Sequence, residues 1–395
     1  MIQTKGKIIY LEGIRGVAAF LVFCHHFLLA FYPAYYGFDV KATHLNGMDI
    51  AYGQSMFSVL TNGNFYVRVF FVLSGFVLSR KYFLNNEPSS LVSGAQRRFV
   101  RLYIPVATAV IIAFLLMQSG LFFNVPVSVV SHSEWWLGNM WTFQQPVKKL
   151  LECLTYSTMF FGDNSFDTCL RTMSIEFYGS MLVFAFLMLT HNTRNRATML
   201  ALSFIVCCFV HQPDMCAFIL GISLNYIERR AEQLSGPVTF VIVSVLLFLA
   251  VTIGAYSPDV PPNALYRLLP TAIFAYFDWF NAIAAFCLVS CFVLSASLQH
   301  IFSFRLFRFL GFISFSLYLL HPLLIGSFSS YLFLQLYNDQ GYNNSVIIVF
   351  LMTTGLCVGL SWLMAKYIDM PAVAAARYLY DKWGKTIDKT GTKRL

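Results

Sequence analysis

Apolar stretches recur along the chain at about residues 14–36, 66–84, 103–123, 172–190, 197–211, 214–228, 237–255, 278–298, 308–334 and 345–368, with short polar segments between them. A helix needs about 20 apolar residues to cross a bilayer. The pattern therefore predicts an all-α, polytopic transmembrane bundle of about ten spans. It forms one domain over 1–395, ending in a short tail over 369–395. The stretches at 197–211 and 214–228 are short and are split by Gln212, Pro213 and Asp214, which reads as a tight hairpin of two tilted spans. The segment 124–171 is the one long polar interruption. Its Trp135, Trp136, Trp141 and Phe143 suit a membrane-interface belt, with a short re-entrant segment around Pro146 as the alternative.

Composition agrees. Of 395 residues 58% are apolar and 11% charged, with a mean hydropathy of +0.65. Soluble domains carry roughly 25% charged residues, so a soluble globule is excluded. The net charge of +9 is then a matter of orientation and gives no reason to expect a nucleic-acid partner. With the N-terminus inside, 20 of the 27 Lys and Arg residues fall on inner segments and six on outer ones, Arg15 lying within the first span. Such a bias places both termini in the cytoplasm of a plasma-membrane or endomembrane protein. The first span carries Arg15 and lacks a small-x-small cleavage site, so it reads as a retained helix. Seven of the nine cysteines lie in apolar runs. Cys153 and Cys169 share the 124–171 segment and could bridge if it faces an oxidising compartment. No CxxC pairs suggest a metal site.

Ionisable groups within spans are expensive and mark function by default. The first span holds Glu12, Arg15, His25 and His26. The eleven-residue step from Arg15 to His26 turns about 1100° and rises about 16 Å, which puts both on one face at different depths. His25 points about 80° away. Glu12 lies one turn before Arg15 and can pair with it. By spacing alone, Arg15 could equally be a snorkelling anchor and His26 a packed hydrogen-bond donor.

Here a family resemblance appears. Tyr10-Leu11-Glu12-Gly13-Ile14-Arg15-Gly16 followed by His26 resembles the opening motif of the membrane-bound acyltransferase-3 family, with its Arg-x10-His spacing. Phe70-Phe71-Val72-Leu73-Ser74-Gly75-Phe76 is similar to the family's second-helix motif, and Arg97-Arg98-x-x-Arg101-Leu102 with Pro105 to its basic motif. Met173-Ser174-Ile175-Glu176-Phe177 resembles the mid-chain glutamate motif, in a form close to the fungal branch. Ile313 to Pro322, ending in Leu320-His321-Pro322, resembles the penultimate-helix motif, and Tyr367-Ile368-Asp369-Met370-Pro371 the closing one. Two departures stand out: Pro105 lies one residue later than in the common bacterial form, and Arg171 takes a place often held by an aromatic.

The resemblance implies an integral-membrane O-acyltransferase. Such an enzyme moves an acyl group, often acetyl, from acyl-CoA to a hydroxyl of a carbohydrate or other small or lipid-linked acceptor. Acyl-CoA would be a co-substrate, with no permanently bound cofactor or metal. The residues suit that chemistry. Acyl transfer to an alcohol needs a base, and neutral histidine fits, which makes His26 the candidate. Glu176 is the candidate to orient the imidazole or share its proton, and Arg15 to reach a phosphate or polarise the thioester. Arg97, Arg98 and Arg101 precede the third span, where arginine forks suit CoA phosphates. They could equally be positive-inside anchors. Ser74 is better suited to close packing than to nucleophilic attack. His321 could orient the acceptor or bond a kinked backbone, and Asp369 before Pro371 reads as a helix end. Intramembrane His, Arg and Glu also suit a proton-coupled transporter, and a non-catalytic membrane protein could keep the same helices.

Overall fold

The computed structural model describes residues 9–142, 145–231, 233–256 and 276–384. Phe143 of the expected aromatic belt lies outside these residues, as do the basic residues counted at positions 5, 7, 267 and from 385 onward. All regular structure among the described residues is helical. The long helices are α1 (Ile9–Phe31), α2 (Gly63–Asn85), α3 (Ser89–Gln118), α4 (Arg171–Leu189), α5 (Arg196–Phe209), α6 (Pro213–Ala231), α7 (Gly236–Gly254), α8 (Phe277–Leu294), α9 (Arg305–Leu324), α10 (Tyr342–Met364) and α11 (Met370–Leu379).

Each expected apolar stretch holds a helix, and among the described residues seven helical runs are long and apolar enough to cross a membrane. α2 and α6 have sufficient length but carry internal charge, and α5 is short. The hairpin expected around Pro213 is formed by α5 and α6, with His211 turning the chain at a left-handed φ of 51°. One expectation is corrected at the chain's end. Residues 370–379, read from sequence as tail, form α11, joined to α10 through a π-helical stretch at Ala365–Asp369. Pro371, expected to end a helix, instead lies inside the continuous helical run Tyr342–Lys382, just after this π-helical stretch, whose wider turn accommodates the missing N–H. A second π-helical stretch, Ile325–Ser329, follows Pro322 and carries α9 on into Ser330–Gln340. Proline inside a helix removes a donor and widens the local turn.

Burial sorts the helices. In α1, 61% of the apolar stretch is buried, against 11% in α7, so α1 is central and α7 faces lipid. The centre is held by backbone-close crossings. A Cβ on Gly16 would lie 2.3 Å from the Gly311 nitrogen, and one on Gly311 would lie 2.4 Å from the Glu12 carbonyl oxygen. α1 and α9 therefore touch backbone to backbone. A second crossing joins α2 and α6, where a Cβ on Gly75 would lie 2.1 Å from the Phe218 carbonyl oxygen. Close approach through small residues is how helices gain packing energy in lipid, which offers them no hydrophobic drive.

The segment expected as an interface belt folds inward instead. Its short helix Asn124–Ser131 is followed by Trp136, whose indole stacks on His26 with ring centroids 5.2 Å apart. Trp141 stacks on Phe122 at 4.1 Å and donates through Nε1 to the Phe166 carbonyl, 2.9 Å away. Only Trp135 among the three stays exposed. Cys153 and Cys169 are both free thiols, so the bridge considered from sequence is not formed.

Two carboxylates end this segment in opposite states. Burial pushes Asp163 up, but bonds from Lys149 and Ser165 outweigh it and hold the group at about 2. Asp167 is 1% exposed and burial pushes it up to about 7, only partly offset by the Cys169 backbone N–H donating to Oδ1 at 2.9 Å. A raised value means that the folded chain holds a proton the unfolded chain releases between about pH 4 and 7. Stability therefore falls as pH rises through that window, by on the order of a few kcal/mol. Asp167→Asn should flatten this slope, so that thermal melts at pH 5 and pH 8 differ less than in the wild type. An unchanged slope would mean that Asp167 is ionised throughout.

The helix crossing gives a second expectation. Gly311→Ala places a methyl against the Glu12 backbone, which cannot move aside as a side chain can. A loss of about 1–3 kcal/mol is expected from overpacking, read as a lower melting temperature. Gly359→Ala in α10, where an added Cβ meets nothing within 4 Å, should melt like the wild type.

Candidate active site

The helix period and the α1–α9 crossing together assemble the centre. α1 and α9 run parallel, with Gly16 and Gly311 in contact, and each places a histidine ten residues further on. Equal steps turn both helices by the same angle and raise both side chains by about 15 Å. His26 and His321 accordingly meet, with His26 Nδ1 2.7 Å from His321 Nε2. His321 Nδ1 lies 3.0 Å from the Leu317 carbonyl oxygen, which only accepts. In a neutral His321 the proton therefore sits on Nδ1, leaving Nε2 to accept from His26 Nδ1–H. That order leaves the lone pair of His26 on Nε2, the form a general base requires. The sequence offered His321 two roles, and it makes both a backbone bond and a contact in the centre.

Cys169, read from sequence only as a loop thiol, completes the cluster, its Sγ 3.9 Å from His321 Nε2. These three side chains could be taken for a metal site, since their ligand atoms lie within 4.8 Å of one another. The two ring nitrogens argue otherwise. At 2.7 Å they share a proton, whereas two ligands of a tetrahedral zinc at about 2.0–2.1 Å would stand roughly 3.3 Å apart.

His25 faces elsewhere, as the helical phase predicts. Its Nδ1 lies 2.7 Å from the Thr61 carbonyl and 2.6 Å from the Tyr35 hydroxyl, and its ring packs on Gly63. This network ties α1 to the start of α2.

Glu176 is corrected in its partner. The expected partner of His26 is instead engaged by Arg98, with which it forms an ion pair, and by the Ser74 hydroxyl, which donates to Oε1 at 2.6 Å. The reason is depth: Glu176 stands seven residues after Cys169, about 10 Å along the helix from the histidine pair. Arg98 Nε also donates to Ser180 Oγ at 2.8 Å. Ser74 is thus a hydrogen-bond donor, while its neighbour Gly75 provides the close packing.

Arg15, Arg98 and Arg101 line one cavity of about 570 Å³, together with Glu12, Ser74 and Glu176. The wall is completed by α9 up to Tyr318 and by Asp369 and Arg377 from the chain's end. Arg97 is not in it: its Nε donates to the Ser93 carbonyl at 2.9 Å and its guanidinium lies 5.7 Å from the Tyr380 ring centroid. The inner wall ends at Thr172 and Tyr318, whose hydroxyls bond at 2.9 Å. One turn beyond each lie Cys169 and His321. A cationic chamber therefore leads toward the histidine pair. Thr172, Tyr318, Arg377, Cys169 and Trp136 were missed from sequence. Two of them carried a signal: Tyr318 lies inside the Ile313–Pro322 motif, and Cys169 is the thiol just before the glutamate motif.

The comparisons with known proteins bear on the same residues. The acyltransferase-3 family profile, described as an acyltransferase domain, matches residues 8–365. The chain is also 24% identical to the O-acetyltransferase PaAT-1 of Phomopsis amygdali over 446 aligned residues, covering 97% of this chain and 86% of that protein. No solved structure matches. With nearly its whole length matched and its helices apolar enough to span a membrane several times, the chain belongs to the acyltransferase-3 family of multi-pass membrane O-acyltransferases.

Proposed function

We propose that this enzyme transfers an acyl group, in the first instance acetyl, from acyl-CoA to the hydroxyl of a carbohydrate or other small or lipid-linked acceptor. The observation that carries this reading is the cationic cavity ending one helical turn short of a histidine with a lone pair available. Arg15 and Arg101 line this cavity, and in this reading their guanidinium forks bind the phosphates of a CoA that enters from the cytoplasm. Arg98 is held by Glu176 and acts with it as the cavity's fixed wall.

In the reaction, His26 Nε2 takes the acceptor's hydroxyl proton as that oxygen attacks the thioester carbonyl. The tetrahedral intermediate collapses with loss of the CoA thiolate, which receives the proton from the imidazolium. One ester C–O bond forms, one C–S bond breaks, and no protein acyl intermediate is needed. His321 fixes the His26 ring and its proton order through the 2.7 Å bond. Trp136 covers the ring's face and limits its rotation.

Purified protein given radiolabelled acetyl-CoA in detergent should release CoA and pass the label to an acceptor extract. His26→Ala should lower that rate by about 10²–10⁴-fold while the protein still folds and inserts. His25→Ala should instead lower the melting temperature, since Thr61 and Tyr35 lose a buried partner, and leave a higher rate per folded molecule. Full activity in His26→Ala would remove the base from this helix.

Arginine variants separate donor binding from anchoring. Arg101→Ala should raise the KM for acetyl-CoA by about 10-fold or more, as expected for a lost charge-assisted bond of about 1.5–3 kcal/mol. Arg97→Ala, whose side chain turns to Ser93 and Tyr380, should leave that KM within about twofold. Equal effects from both would reduce the cluster to a topological anchor.

A further inference from the structure

Acyl transfer builds negative charge on the thioester carbonyl oxygen while His26 takes the acceptor's proton, and such charge needs a fixed donor beside it. In the transferase reading Arg15 and Arg101 meet phosphates, and Arg98 is held by Glu176. A donor for this oxygen is then to be sought on the chamber's inner wall, next to the histidine pair. Among the described residues four hydroxyls line the chamber, those of Ser74, Thr172, Ser314 and Tyr318. Three have their proton committed: Ser74 donates to Glu176 Oε1 at 2.6 Å, Ser314 to the Gly311 carbonyl at 2.8 Å and Thr172 to the Cys169 carbonyl at 2.8 Å. Thr172 has no second proton, so in its 2.9 Å bond with Tyr318 the phenol is the donor. Tyr318 alone of the four directs its proton at a neutral hydroxyl, a weaker acceptor than an oxyanion. It also lies three residues before His321 on α9, with ring centroids 6.0 Å apart, and His321 Nε2 is 2.7 Å from His26 Nδ1.

We propose that Tyr318 is a catalytic residue, whose O–H turns from Thr172 Oγ1 to the thioester carbonyl oxygen as that oxygen becomes an oxyanion. Rotation about the phenol's C–O bond redirects the proton, and the ring stays in place, met edge-on by Phe70 with centroids 5.7 Å apart. As the acceptor's C–O bond forms, the carbonyl π pair moves onto this oxygen and receives the hydrogen bond. When the C–S bond breaks, the pair returns and the O–H turns back to Thr172. Tyr318 keeps its proton throughout, so the proton balance between acceptor, His26 and CoA thiolate is unchanged. The inference rests on the transferase reading of the histidine pair and adds the group that meets the developing charge. A bond made only in the transition state raises kcat and leaves ground-state binding alone. Thr172 serves as the resting acceptor that satisfies the buried phenol between turnovers.

The test uses the full-length protein in detergent with radiolabelled acetyl-CoA and the acceptor extract, rates being taken per folded molecule. Tyr318→Phe removes the hydroxyl and keeps the ring. It should lower kcat by about 10²–10³-fold, as loss of one oxyanion donor does, with the KM for acetyl-CoA within about twofold. Thr172→Val breaks the same 2.9 Å bond from the other side but leaves Tyr318 its O–H. It should keep kcat within about threefold of the wild type, because it removes no donor from the transition state. The pair separates two roles: a bond that merely joins α4 to α9 is lost in both variants, an oxyanion donor only in Tyr318→Phe. As a further variant, 3,5-difluorotyrosine at position 318 keeps the shape of tyrosine but gives up its proton at lower pH. Its rate should fall at an alkaline pH where the wild type is still active. Equal loss of kcat in Tyr318→Phe and Thr172→Val, full activity in Tyr318→Phe, or an unmoved alkaline limb would overturn the assignment and leave the transferase reading standing. A wild-type protein that moves no acetyl group would remove that reading and the assignment with it.

Discussion

The centre of this protein depends on one contact, the parallel crossing of α1 and α9 at Gly16 and Gly311. Because neither residue has a Cβ, the two backbones meet, with glycine the only residue whose side chain does not intrude. From that contact each helix proceeds ten residues in the same direction to a histidine. Register fixed at the glycines becomes a 2.7 Å hydrogen bond at His26 and His321. Any wider crossing would separate the imidazole rings, which are too short to reach across a gap.

Around this pair the bundle sorts its polar groups by depth. α4 and the turn before it present Cys169, Thr172, Glu176 and Ser180 on one face, spaced by helical turns. The highest touches His321, the next bonds Tyr318, and the lower two engage Arg98. Along this face the charged residue lies toward the arginine chamber, and the residues nearer the histidines are uncharged and polar. Buried charges are tolerated only when paired, and the Arg98–Glu176 pair meets that condition. The inward-folded 124–171 segment caps the other end with Trp136 on His26 and Trp141 beside Asp167.

A second set of buried charges holds together the starts of three helices. Arg68 on α2 lies 3.1 Å from Asp214 on α6 and 2.7 Å from Asp278 at the start of α8. Together with the Gly75 crossing between α2 and α6, this fixes α2 as the second central helix, whose far face offers Ser74 to Glu176. The network explains why α2 carries too much charge to stand alone in lipid: its polar side chains are satisfied by neighbours before any lipid is met.

The apolar repeat by itself determined that the chain is helical and membrane-embedded, because segments of that length and composition have no stable place in water. The 3.6-residue period separated His25 from His26, since helical phase is a local property. Motif order pointed to acyl transfer and to His26, Arg15, Glu176 and the arginines as a set. Sequence distance could not say which of these meet. That His26 pairs with His321, 295 residues away, and Glu176 with Arg98 followed only from helix register, which two glycines set through a backbone contact. The same holds for Trp136, an ordinary interface residue by composition that packs on His26 because the 124–171 segment turns inward. Cys169 and Asp167 were legible as residue types, but tertiary packing alone gave one a histidine neighbour and buried the other.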